Sequence, residues 1–329
     1  MGTDRRTLLD IARETDPKGR PAQIIEVLNQ TNPILQDMPA FPSNAPMGNT
    51  VTMRTGLPTV AFTKINQGST RSKSASEKRV DTMGILDGLS EVDSKMRAVI
   101  GAARFDAHRR KEDDSFVEAM AQTAALTLFY GNEKTNEASF TGLAPRLNTL
   151  ASVATGSQVW DSDAAGTGGD LTSIYVCDMG EKGAHLIYPE GSTAGMAASD
   201  KGEVRVTDID GNPMMAFVSS FLWTLGLSIE DPRHIGRLAN IDVSTALADT
   251  GLALGMDLID VLTSMPDQGG MTRVAYCAKR IVAAFYKQAI NKSNASLTIR
   301  DYLGKPTPYF WDVPLRACDQ ISLTESQVS

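Results

Sequence analysis

The segment Trp223–Asp242, WTLGLSIEDPRHIGRLANID, restricts the fold more than any other stretch of the chain. Trp223, Leu225, Leu227 and Ile229 alternate with smaller residues, the two-residue period of a strand covering a core. Glu230-Asp231-Pro232 stops that ladder, because proline donates no backbone hydrogen bond. Arg233, His234 and Arg237 follow as a short basic rise, expected to lead into a helix through Leu238-Ala239-Asn240-Ile241-Asp242. Around this segment the chain reads as an α+β fold.

Before it, residues 1–47 read as an arm. Asp4–Glu14 carries Leu8, Ile11 and Ala12 at helical spacing, and Pro21 opens a second short helix with Ile24, Ile25 and Leu28 on one side. Pro33, Pro39, Pro42 and Pro46 keep the chain extended, so the arm cannot build its own core. Residues 48–90 read as a long hairpin, with Val51, Met53, Val60 and Phe62 on strand-like runs, a turn at Asn66–Ser69 and a return along Arg79–Leu89. From Arg54 to Arg79 it holds Arg54, Lys64, Arg71, Lys73, Lys78 and Arg79 against Glu77 alone. A two-stranded ribbon this polar is marginal alone and needs an outside partner.

Residues 91–145 contain a long helix over 92–130, with Phe116, Met120, Ala124 and Leu128 as one apolar stripe resting on a sheet. Residues 146–300 form a mixed body after a loop-rich stretch. It has strands at Leu171–Cys177, His185–Tyr188 and Val204–Thr207, a tight turn at Asp210–Pro213, and helices at Val243–Thr263 and Met271–Ile290. Residues 301–329 close the chain; Leu297–Ser322 alternates and carries Pro306, Pro308 and Pro314, which fits an edge strand.

Few chemical functions survive this sequence. The net charge of -7 repels nucleic acid as a whole. The basic hairpin has one aromatic residue, Phe62, which is too little for base stacking. Cys177, Cys277 and Cys318 are far apart and odd in number, arguing against a disulfide framework or a zinc site and for a reducing compartment. The N-terminus lacks a signal-peptide core, and the apolar stretch Ala246–Leu262 is too short and acidic to span a bilayer. His108, His185 and His234 are dispersed, and His234 beside Arg233 and Asp231 reads as a turn residue. Gly191–Gly195 has its serine one position too early for a nucleophile elbow. Gly166–Gly169 precedes a strand rather than joining strand to helix, so it is no dinucleotide loop. No catalytic residue, cofactor site or metal site is expected.

Two segments carry a family resemblance. Trp223–Asp242 resembles a recurring stretch of tailed-bacteriophage major capsid proteins, W-x-x-GL followed by an aspartate, an arginine and R-(I/L)-A-N-I-D. Phe310–Glu325, FWDVPLRACDQISLTE, resembles the same family's closing strand, F-x-G-(I/V)-P-(I/L)-R-x-x-D-x-(I/L)-x-x-x-E. The departures are Asp312, where glycine is usual, and Cys318. The resemblance implies the Hong Kong 97-type capsid fold: N-terminal arm, extended β-hairpin loop, spine helix with peripheral domain, axial domain, and a strand returning to the peripheral domain. It implies a subunit that self-assembles into hexamers and pentamers, forming an icosahedral head around double-stranded DNA without sequence-specific binding. Assembly would take place in the host bacterial cytoplasm, with portal and scaffolding or cementing proteins as partners and no membrane. By the same resemblance Trp223, Arg233, Arg237, Asn240, Phe310, Pro314, Arg316 and Asp319 determine the fold, while the six basic hairpin residues contact neighbouring subunits. An encapsulin-like compartment shell and an unrecognised cytoplasmic enzyme are the alternatives.

Overall fold

The computed structural model describes residues 32–150, 158–162, 169–208, 210–248, 253–290, 297–302 and 305–329. The two arm helices and the glycine-rich run at 166–168 lie outside these residues. In chain order the elements are α1 (Ile34–Asp37), β1 (Ala40–Pro42), β2 (Gly48–Gly56), β3 (Ala75–Asp93), α2 (Lys95–Ile100) and α3 (Ala102–Tyr130). Next come α4 (Leu143–Arg146), β4 (Val159–Asp161), β5 (Leu171–Met179), β6 (Ala184–Tyr188), β7 (Ala197–Thr207) and β8 (Pro213–Ile229). After a 3-10 turn at Pro232–His234 follow β9 (Ile235–Asp242), α5 (Val243–Ala248), α6 (Ala253–Ser264), β10 (Thr272–Cys277) and α7 (Lys279–Ile290). Three strands close the chain, β11 (Leu297–Tyr302), β12 (Lys305–Phe310) and β13 (Val313–Ala317).

The described chain forms two compact units, and β3, α3 and β8 each belong partly to both. The larger comprises residues 32–84, 126–194 and 225–329. Its centre is β5, buried along its whole length because β9 and β10 flank it antiparallel. The sheet runs β11-β12-β13-β10-β5-β6-β8-β3-β2. Tyr175, Tyr276, Phe129 and Leu227 are among its fully enclosed side chains, and such burial of aromatic and aliphatic groups is the main favourable term in folding.

The smaller unit comprises residues 85–125 and 195–224 of the described chain. Here α3 covers one face of the end of β3 and the β7–β8 hairpin. Val92, Met96 and Phe105 form its core with Phe217, whose ring lies 5.1 Å from that of Phe105. Phe116 stacks at 6.0 Å on Phe221, and Gly88 leaves room for both, since a Cβ there would come within 3.3 Å of the Phe116 ring.

Several sequence expectations are corrected. Leu238–Asp242 is not helical: β9 is a strand with every residue buried, and a short apolar run does not by periodicity distinguish strand from helix. Met271–Ile290 divides into β10 and α7, because Arg273–Cys277 is enclosed between β5 and β13 and only Lys279 onward shows one buried face. The long helix starts later than expected, as β3 continues to Asp93 and Gly101, at φ +83°, separates α2 from α3. Val60 and Phe62 lie in no strand. The tail is not one edge strand but three, with only β11 at the edge. β12 meets β13 only at Tyr309 and Phe310, so Pro306 and Pro308 occupy positions with no ladder partner on that side.

Candidate assembly interface

The hairpin is a ladder only near its root. β2 and β3 pair from Gly48↔Thr82 outward to Gly56↔Ala75, and residues 57–74 carry no ladder. Beyond the ladder the chain is open: Leu57, Val60, Phe62 and Ile65 are 79–110% exposed. Arg54, Lys64, Arg71, Lys73 and Lys78 are exposed along the same finger. Ser72 Oγ donates to the Thr59 carbonyl, and Asn66 turns the tip at φ +68°.

Arg79 differs from the other five bases. It turns inward, with Nε 3.3 Å from Asp81 and Nη2 donating to the Ile229 carbonyl. Burial pulls its guanidinium below the ordinary value, opposed by the Asp81 carboxylate. Asp81 is 3% exposed and is the hub of the root. It accepts from Arg146 Nη1 at 2.8 Å, Ser228 Oγ at 2.9 Å and the Ile229 amide at 3.2 Å. Asn49, opposite Asp81 on β2, donates to Ser228 Oγ at 3.0 Å. A buried carboxylate is tolerated only with this many partners, so Asp81 fixes the root of the hairpin to β8 and α4. Sequence reasoning missed Asp81, Arg146 and Asn49. Asp81 is a lone acid among alternating residues, and apart from Arg79 its partners lie far away in sequence.

The two segments that carry the resemblance are bonded to each other. Arg237, on β9, sends Nη2 to Glu325 at 2.8 Å, Nε to Ser173 Oγ at 3.0 Å and Nη1 to the Leu147 carbonyl at 2.8 Å. Its guanidinium lies 5.3 Å from the centre of the Tyr175 ring. Glu325 also accepts from Tyr130, Ser173 and Tyr175. Burial, with Glu325 alongside, pushes the Tyr130 and Tyr175 phenols far above their ordinary range, so both stay protonated donors. Asn240 donates to the Val328 carbonyl at 2.9 Å and accepts from the Val328 amide at 2.8 Å. The irregular C-terminal tail is thus held by side chains of β9.

The remaining expected residues serve the fold in different ways. Phe310 is fully buried, and Pro314 is buried in β13 opposite Tyr309. Arg316 pairs with Asp37, which also accepts from Tyr276 at 2.7 Å, tying α1 to the sheet. Asp319 holds Lys279 at 2.7 Å. Arg233 forms an exposed pair with Asp231, whose carboxyl it holds below the usual range. Trp223 is half-buried rather than core; of its alternating set, Leu225, Leu227 and Ile229 are enclosed. His234 is a turn residue, with Nδ1 2.7 Å from the buried Asp178, which Arg273 also binds at 2.6 Å. Trp311 adopts φ +53° at the tail turn, and the departure residue Asp312 reaches Arg300 at 3.1 Å. Among the described residues no helix is long and apolar enough to cross a membrane, and no His, Cys, Asp and Glu group is placed to hold a metal.

The profile of the family described as major capsid protein GP7 matches residues 16–329. The chain belongs to the major capsid protein GP7 family. A chain in the solved structure of bacteriophage Epsilon15 is 31% identical, covering 100% of this chain and 98% of its own, with a TM-score of 0.73. A capsid chain of the native GTA particle is 10% identical over 68% of this chain and 95% of its own, TM-score 0.45. A chain of the holo-SrpI encapsulin complex of Synechococcus elongatus is 10% identical over 72% of this chain and 95% of its own, TM-score 0.40. Comparison with curated proteins finds no match. This capsid protein therefore has the Hong Kong 97-type fold and is a virion structural protein of a tailed phage, assembling with its own copies into the icosahedral head. Membership makes it a structural protein and not an enzyme, and places it among phage heads rather than encapsulin compartments.

Proposed function

We propose that copies of this capsid protein close into hexameric and pentameric rings, and that the hairpin loop supplies a contact between neighbours. The observation that carries the reading is the finger beyond Gly56. Four large apolar side chains, each at least 79% exposed, stand there among exposed bases. A soluble subunit that stayed alone would gain nothing from such a display, whereas a neighbouring surface would bury it. In this reading residues 1–47 are the arm, 48–90 the extension loop, 91–145 the spine helix and peripheral domain, and 146–300 the axial domain. Residues 301–329 are the strand returning to the peripheral domain. Portal and scaffolding or cementing proteins join the shell, and the DNA inside is enclosed without sequence reading, consistent with a net charge of -7.

Deleting Gln67–Ser76 tests the loop. That segment contributes no buried side chain, so the expected product is a folded subunit that sediments slowly and closes no shells on a sucrose gradient. Intact shells from the deletion refute the reading.

A further inference from the structure

A second concentration of positive charge lies in the smaller unit, at the corner between α2 and α3. Residues 94–111 hold Lys95, Arg97, Arg104, Arg109, Arg110 and Lys111 against Asp106 alone, in a chain whose total is -7. Arg109 is committed to Asp200 and Ser219. Lys95, Arg97, Arg104 and Arg110 are exposed, and among the described residues no acid pairs with them. Arg97 is held in place: its guanidinium lies 5.6 Å from the centre of the Phe217 ring, and the Gly101 amide bonds back to its carbonyl at 3.1 Å. Arg104 stands in the first turn of the 29-residue α3, which contains no acid. The field of a helix N-terminus favours an anion there and opposes a base. Within one chain the placement is unfavourable, and an external anion relieves it.

The residues between these bases say what that anion is. Ala98, Ala102, Ala103 and Ala107 are exposed there, and Val99 is the one large apolar side chain on display. The finger, by contrast, sets its bases among Leu57, Val60, Phe62 and Ile65. The corner therefore has no aromatic anchor for a protein interface and no ring for stacking a single strand. Its small side chains let a duplex backbone come flush against the bases. We infer that the α2–α3 corner, through Lys95, Arg97, Arg104 and Arg110, is the surface by which the subunit meets the phosphates of the enclosed double-stranded DNA, and so faces the interior of the head. The inference rests on the reading that the shell encloses DNA, and adds the contact surface. Phosphate contacts of this kind carry no sequence information. A total of -7 repels a duplex from the subunit as a whole, so contact has to come through a local concentration of bases.

The test is lysine acetylation of the full-length wild-type chain with an N-hydroxysuccinimide ester, read by mass spectrometry in unassembled subunits, empty heads and DNA-filled heads. Lys95 should react in the first two. In filled heads it should be protected at least about fivefold relative to Lys64 and Lys73 on the finger, since an ammonium held by phosphate is withdrawn from reaction. Lys95 already protected in empty heads overturns the inference, because a protein surface then covers the corner. A ratio unchanged by DNA overturns it too. Nuclease-resistant DNA is scored in the same heads. If it is present while Lys95 stays reactive, only the contact surface is wrong; if no head holds any, the enclosure reading fails with it. A charge-reversal pair, Arg97→Glu with Arg104→Glu, tests the surface without a lysine reporter. Measured against the melting of its own empty heads, it should release DNA at a lower temperature than wild type in low salt, with the difference lost in high salt. Release at the wild-type temperature in low salt overturns the inference.

Discussion

Replacing Arg237 by alanine should release the C-terminal tail. Arg237 and Glu325 have side chains only 5% exposed, so bulk solvent screens the pair little. Losing one member of a buried ion pair typically costs about 3–5 kcal/mol, because the other charge is left uncompensated. Here Tyr130, Ser173 and Tyr175 would still donate to Glu325, which favours the lower end, about 3 kcal/mol. The Leu147 carbonyl would lose its donor and Tyr175 its overlying cation, adding roughly 1 kcal/mol each. The ion-pair loss of about 3 kcal/mol alone corresponds to roughly a 100-fold rise in opening, which sets the minimum. The assay is hydrogen exchange of the Glu325 and Val328 amides, which bond to the Leu171 carbonyl and to Asn240. Their exchange should accelerate at least that much while the amides of α7 are unaffected. Arg237→Met with Glu325→Leu should cost less than the sum of the single variants by roughly 1–3 kcal/mol, the coupling of residues in direct contact. Tail exchange within threefold of wild type in Arg237→Ala would show that the pair does not hold the tail, and the reasoning would fail.

Leu227→Ala should cost about 2–5 kcal/mol by leaving a cavity at a fully enclosed site, measured as a shifted urea midpoint, and Trp223→Ala should cost less because Trp223 is already half-open. His185 is pulled below its ordinary value of 6.5, chiefly by burial. The unfolded chain therefore takes up the proton first. The neutral ring's contribution to stability is complete above about 6.5 and is lost as pH falls from there toward the folded value. His185→Gln should flatten the acid limb of the urea midpoint against pH, and an unchanged slope would place the proton elsewhere. Asp81→Asn leaves Arg146 and Arg79 beside a neutral amide; the amides of β2 should exchange at least tenfold faster while those of β5 hold. Equal acceleration in both strands would show a general loss of stability rather than a loosened hairpin root.

The sequence carried the architecture where one periodicity or one breaker decided it. The stop at Glu230–Pro232, the start of β5 and the basic hairpin all follow from local chemistry. It failed where burial on both faces erased the period, as in β9 and β10, since an enclosed strand and a buried helix present the same apolar string. Trp223 shows a different limit: alternation marks a strand but not which of its positions are enclosed, since Phe221 and Leu225 on either side are buried while Trp223 is half-open. Asp81 and Glu325 were invisible as hubs for another reason. Apart from Arg79 beside Asp81, the partners of each acid arrive from 65 and 88 residues away or more, through Arg146 and Arg237.

The bond between Arg237 and Glu325 also explains why two segments separated by most of the body should occur together. The tail after β13 has no ladder of its own, so its buried amides and carbonyls must be met by side chains. Asn240 does this for Val328, meeting both main-chain groups as a neighbouring strand would. It sits at φ +57°, where asparagine is better tolerated than most residues. Thr172 meets the Ser322 carbonyl at 2.7 Å. A tail of another sequence would still have a backbone for Asn240 but no carboxylate for Arg237, and an arginine buried without its acid is worse than none. The R-x-x-N-x-D run and the closing glutamate are therefore one structural device written in two places. Swapping either one alone for the matching segment of an unrelated capsid chain should be more damaging than swapping both.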